Sequence, residues 1–236
     1  MLRATTHLGD AQNELFVAWL AQFTRDGLDV EIVEGVNSRL DADIVFACGL
    51  LTALAIRTHG TREIVAAPIF AGEYEASYRS VIVARTDSGL RSLRGDKGLR
   101  LSVNEYTSWS GWHGFKEHLR RAEVAPETIA EHILSGSHVA SLDAVLDGRA
   151  DVASIDHTIW NTQRRVDPRM SALRVIDTTR DWPAPPVSIR SSLSPDIRTK
   201  IVDMLATMGD VVPVSGGRYS FMLDELDDHP TRVPAS

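Results

Sequence analysis

The sequence predicts a two-lobed α/β fold with a ligand cleft between the lobes. β-branched apolar runs alternate with stretches whose apolar residues recur at helical spacing, the signature of βα units. Two breaks, the polar turn RTDSG at 85–89 and the proline cluster WPAPP at 182–186, fall where the chain can cross between lobes. A length of 236 residues accommodates two cores of about 100 residues each. Residues 1–84 and 187–236 are assigned to lobe 1 and residues 85–186 to lobe 2, a hinged clamshell.

The elements follow in order. Residues 2–6 form a short strand, and Asp10 is placed to cap a helix carrying Leu15, Phe16, Trp19, Leu20 and Phe23 on one face. Residues 28–33 and 43–47 are apolar and β-branched, and a helix starts at Gly49. Strands are predicted at 64–70 and 78–84, then at 99–103, followed by a helix at 110–121 and a strand at 129–134. The helix at 138–146 keeps Val139, Leu142, Val145 and Leu146 on one face, with Gly148 as its left-handed stop. A strand at 152–155, a helix at 158–165 and a strand at 173–177 complete lobe 2. A returning strand at 187–189 and a helix at 195–208 lie in lobe 1, and the acidic tail from 224 is expected to pack loosely.

Composition removes several classes of function. The 25 basic and 32 acidic residues lack the basic footprint of a nucleic-acid binder. Cys48 is the single cysteine, which precludes an intrachain disulfide and a site of paired cysteines. Apolar runs fall short of the roughly 20 residues needed to span a bilayer, so no direct membrane insertion is expected, and the first residues do not read as an export signal. Neither a Walker A sequence, GxSxG, HExxH nor a GxGxxG after a strand occurs, and no metal or cofactor is expected.

The candidate ligand-contacting residues sit where strands hand over to helices. There, helix N-termini offer unpaired N–H groups and partial positive charge. Thr107, Ser108, Trp109 and Ser110 follow the strand at 99–103, with hydroxyls and N–H groups able to converge on one oxyanion; the plainer reading of a serine there is an N-cap. Trp109 reads as a pocket wall or as core. His138 opens the next helix, as a ligand group or a surface histidine, and Asp156 ends the next strand, as a ligand group or a cap for Thr158. Tyr78, Gly49 and His7 complete the set, at the start of one strand and the exits of two others.

Five segments also resemble the phosphate, phosphite and phosphonate substrate-binding proteins of ABC importers, which have the type II periplasmic-binding-protein fold. They are ADIVFACG at 42–49, YRSVIVAR at 78–85, residues 104–111, SGSH at 135–138 and AVLDGRAD at 144–151. The resemblance implies that Ser108 with Ser110, His138 and Asp156 hold the ligand, and that Tyr78 is the aromatic supplied by the first lobe. It also implies an ABC permease as partner and a periplasmic location; the alternative is a cytoplasmic location, if the chain is full length without an export signal. Trp109 departs from the pattern, occupying the place of a small hydroxyl residue, and residues 48–52 lack a tyrosine common in that part of the family. The expected protein is a non-catalytic binder of a small polar anion or zwitterion. The alternatives are a cytoplasmic ligand sensor, or an enzyme similar to the pyrimidine-precursor synthases of thiamine biosynthesis in which His7, Cys48 or His138 reacts.

Overall fold

The βα alternation folds into two separate sheets. The computed structural model describes residues 1–8, 10–34 and 41–227. In chain order the elements are β1 (Leu2–His7), α1 (Asp10–Arg25), β2 (Val30–Ile32), β3 (Ile44–Ala47), α2 (Gly49–His59), β4 (Arg62–Pro68), β5 (Ser77–Tyr78), β6 (Ser80–Arg85) and β7 (Leu99–Val103). A π-helical turn (Trp109–His113) leads directly into α3 (Gly114–Arg121). Then come β8 (Ile129–Leu134), α4 (His138–Leu146), β9 (Val152–Asp156), α5 (His157–Val166), β10 (Leu173–Thr178), β11 (Trp182–Pro183), β12 (Val187–Arg190), α6 (Pro195–Thr207), β13 (Val211–Pro213) and α7 (Phe221–Asp227).

The first unit comprises Met1–Leu8, Gln12–Ser77 and the chain from Pro183 onward, and the second is built on Tyr78–Trp182. The first crossing therefore precedes β6, whereas the turn at 85–89 was expected to mark it. The reason is the hydrogen bonding of β6, which pairs antiparallel with β9 and β10 of the second sheet. The second crossing falls inside the predicted proline cluster.

The first unit's sheet runs β13-β4-β12-β3-β1-β2, with β1 parallel to β2 and β3 and the remaining pairs antiparallel. The predicted apolar face of α1 supplies its core: Phe16 and Trp19 lie 5.7 and 5.4 Å, centroid to centroid, from Phe46 of β3. From the other end of the chain, α6 adds Ile201, Met204 and Leu205 to the same cluster. Arg62 is buried on β4, its guanidinium donating to the carbonyls of Ala42, Asp43 and Ser188 and to Ser188 Oγ at 2.6–3.2 Å. Burial, then the charge of Arg190, lowers its pKa to about 10, which leaves it charged at neutral pH. Its four hydrogen bonds make that buried charge tolerable.

The second unit's sheet runs β10-β6-β9-β7-β8 and is covered on both faces. Alternation along the strands decides which residue meets which layer. Val81 and Val83 of β6, with Ala153 and Ile155 of β9, pack against Leu142 and Val145 of α4 and Trp160 of α5. Ile82, Ala84 and Val152 point the other way, to Phe115 of α3 and Leu93. Gly148, with φ of 71°, is the left-handed residue predicted to stop α4.

Two further differences concern the ends of elements. The tail predicted to pack loosely from 224 is helical through Asp227, and the rest of it, like the side chain of Asp10, lies outside the described residues. The helix predicted from 110 begins one residue earlier, and as a π-turn.

Candidate functional site

In the second unit β9, β7 and β8 are adjacent and parallel, so their carboxyl ends share one sheet edge. A helix or helical turn starts just beyond each, capped by Ser108, Ser137 and Asp156. Three sets of N-terminal N–H groups are thereby gathered at one edge, an arrangement suited to negative charge.

After β7, Ser108 Oγ accepts the Gly111 N–H at 3.1 Å, and the wide turn closes through the His113 N–H to the Ser108 carbonyl, also at 3.1 Å. The N-cap reading of Ser108 is thus realised, and its hydroxyl proton remains available to a ligand. Ser110, 6% exposed, places Oγ 2.9 Å from Nε2 of His138. Two candidates twenty-eight residues apart in sequence are therefore in hydrogen-bond contact. The His138 pKa is lowered from its ordinary value, chiefly by burial, against the pull of the negative charges of Asp156 and then Glu105. The neutral ring is therefore the favoured form in the unliganded protein.

Asp156, 4% exposed, accepts from the Thr158 N–H at 2.8 Å and the Thr158 hydroxyl at 2.7 Å through Oδ1, the predicted cap of α5. Its charge nonetheless reaches His138, which places it in the same electrostatic neighbourhood. Tyr78, 2% exposed, lies two residues before Ser80, which pairs with Asp156 across β6 and β9. It belongs to the second unit and not to the first, as the resemblance implied.

Four other candidates are placed as follows. The indole of Trp109 has no exposed surface; it sits edge-on to Trp182 at 5.0 Å and nearly parallel to His113. Its ring is therefore part of the second unit's packing and does not form an open pocket wall. Thr107 is exposed, and its hydroxyl lies 3.4 Å from Glu105 Oε2, turned to a carboxylate. Gly49 is required by packing: a Cβ there would lie 2.8 Å from the Tyr219 ring and 3.1 Å from Met222 Sδ. His7 ends β1 opposite Ala47 of β3, so it shares a sheet edge with Cys48 and Gly49 in the first unit.

The sequence reading missed Glu105, Ser80 and Ser154. Glu105 is hidden among turn residues, but the two serines carry a signal, being polar residues inside the apolar runs of β6 and β9. Both are fully buried, and both hydroxyls donate to the Ser110 carbonyl, at 2.9 and 2.7 Å. Among the described residues, no group of His, Cys, Asp and Glu is placed to hold a metal ion.

Comparison with known proteins decides the family. The model of the family described as "ABC transporter, phosphonate, periplasmic substrate-binding protein" matches residues 33–218, well over half of the chain. The chain belongs to this family. By this membership the protein is a non-catalytic solute binder.

Solved structures agree on the type II periplasmic-binding-protein fold. PhnD1 from Prochlorococcus marinus (MIT 9301), in complex with methylphosphonate, matches with a TM-score of 0.82 and 16% identity, over 96% of this chain and 97% of that one. A binding-protein component of an ABC phosphonate transporter from Pseudomonas aeruginosa gives 0.75 and 18%, over 98% and 89%. An ancestral arginine-binding protein bound to arginine gives 0.59 and 16%, over 95% and 96%. The family is periplasmic by description, and no helix among the described residues is long and apolar enough to cross a membrane.

Proposed function

We propose that the protein captures a phosphonate or a closely related oxyanion at the carboxyl edge of β7, β8 and β9, as the receptor component of an ABC importer acting in the periplasm. The contact between Ser110 and His138 carries this reading, because it brings the turn after β7 and the start of α4 onto one point. Ser108 and Ser110 supply hydroxyls, His138 supplies an imidazole nitrogen, and the helix N-termini supply N–H groups and partial positive charge. Asp156 and Glu105 add negative charge to the same neighbourhood. A fully ionised dianion is disfavoured beside them, so the preferred ligand is monoprotonated or carries its own cationic group. The permease partner rests on family membership.

Titration calorimetry with methylphosphonate, phosphite, inorganic phosphate and 2-aminoethylphosphonate tests the reading. A dissociation constant of about a micromolar or tighter for at least one of them, some −8 kcal/mol, is expected. Several charge-assisted hydrogen bonds of about 1.5–3 kcal/mol each supply that much after the costs of ordering. Absence of heat with all four would refute it.

A further inference from the structure

We propose that Ser80 and Ser154 are positioning residues for oxyanion recognition, holding the Ser110 carbonyl so that the turn after β7 presents its donors in a fixed direction. This rests on the reading that the turn receives the ligand. On the face of the sheet turned to α3, β6 and β9 carry hydrocarbon, Ile82, Ala84 and Val152. By strand alternation Ser80 and Ser154 lie on that same face. A buried hydroxyl on an apolar face is unfavourable unless bonded, so two serines there need a purpose.

Both meet a single atom. Ser80 Oγ and Ser154 Oγ donate to the Ser110 carbonyl from adjacent strands, at 2.9 and 2.7 Å. The N–H of the same peptide unit, on Gly111, donates to Ser108 Oγ at 3.1 Å. The peptide joining Ser110 to Gly111 is therefore held at both ends; the side chain of Ser110 is attached to it, and its N–H is bonded to the Ser108 hydroxyl oxygen. A turn held in this way meets the ligand without first being ordered, which preserves affinity. The neighbouring carbonyls of Ser108 and Trp109 receive the N–H groups of His113 and Gly114 within the turn, and that of Ser110 receives two hydroxyls from the sheet.

The test uses Ser80→Ala, Ser154→Ala and the double variant, with methylphosphonate, inorganic phosphate and 2-aminoethylphosphonate as probes. Each single change is expected to weaken the best probe about five- to tenfold, and the double change by about thirtyfold or more. In the unliganded double variant, hydrogen exchange at the Gly111 amide should quicken at least about tenfold, while amides inside β6 and β9 keep their protection. A role confined to stability would instead lower the melting temperature and quicken exchange across both strands, leaving affinity unchanged; that result overturns the inference. If the double variant does not fold, the single variants decide. Binding by wild type with equal affinity in the variants removes this inference alone, and failure of wild type to bind any probe removes the underlying reading as well.

Discussion

Ser110 Oγ and His138 Nε2 lie 2.9 Å apart, joining the turn that follows β7 to the first residue of α4. Either group alone is an ordinary residue near a helix start; together they define a point where hydroxyl, imidazole and helix N-termini meet. Ser110→Ala or His138→Ala should weaken methylphosphonate binding about ten- to a hundredfold, the worth of one hydrogen bond to a charged ligand. Calorimetry measures the loss, and a thermal melt of the unliganded protein should move by only a few degrees.

Trp109 behaves as a core residue in the structure, edge-on to Trp182 and fully buried. Replacing it with the small hydroxyl residue that the resemblance sets at that place leaves a cavity. Trp109→Thr should cost about 3–5 kcal/mol of stability, as truncation of a large buried aromatic does. Urea denaturation followed by circular dichroism gives the value; a loss under about 1 kcal/mol would show that the indole is not packed as described.

Asp156 both caps α5 and adds negative charge beside His138. Asn caps as well as Asp, so Asp156→Asn should leave stability within about 0.5 kcal/mol, whereas Asp156→Ala should lose about 1 kcal/mol. The neutral variant should also lose preference for 2-aminoethylphosphonate over methylphosphonate. Competition binding checks this, and an unchanged ratio would remove the carboxylate from ligand selection.

The lowered pKa of His138 has a signed consequence for stability. Burial disfavours the charged ring in the folded protein, so the unfolded chain takes up its proton first as pH falls. The stability associated with the neutral ring is fully present above the unfolded pKa, near 6.5, and is lost as pH falls below it toward the folded value. His138→Gln does not titrate there. Between about pH 7.5 and 5.5, urea midpoints of wild type should therefore fall more steeply than those of the variant. Parallel slopes would contradict the burial of the ring.

Much of this fold was legible because its elements are locally consistent. α4 begins at His138 and ends at Leu146 as predicted, since Ser137 caps one end and Gly148 stops the other. β7 and β8 likewise span the residues predicted for them, 99–103 and 129–134. The crossing before Tyr78 was not legible, because β6 continues an apolar run and only its pairing with β9 and β10 reveals which sheet it joins. At the site, handover points between strand and helix identified Ser108, Ser110, His138 and Asp156. They did not reveal that Ser110 touches His138, a matter of strand order. Nor did they distinguish a tryptophan turned inward from one lining a pocket, because Trp182, which encloses Trp109, is seventy-three residues away.

Titration of isotope-labelled protein with methylphosphonate, followed by amide chemical shifts, reports whether an oxyanion binds at the edge where β7, β8 and β9 end. Saturable shifts concentrated at Gly111, His138 and Thr158, with the His138 ring moving alongside, are the predicted result. Saturable shifts that spare all three amides, or none anywhere up to millimolar ligand, would contradict it.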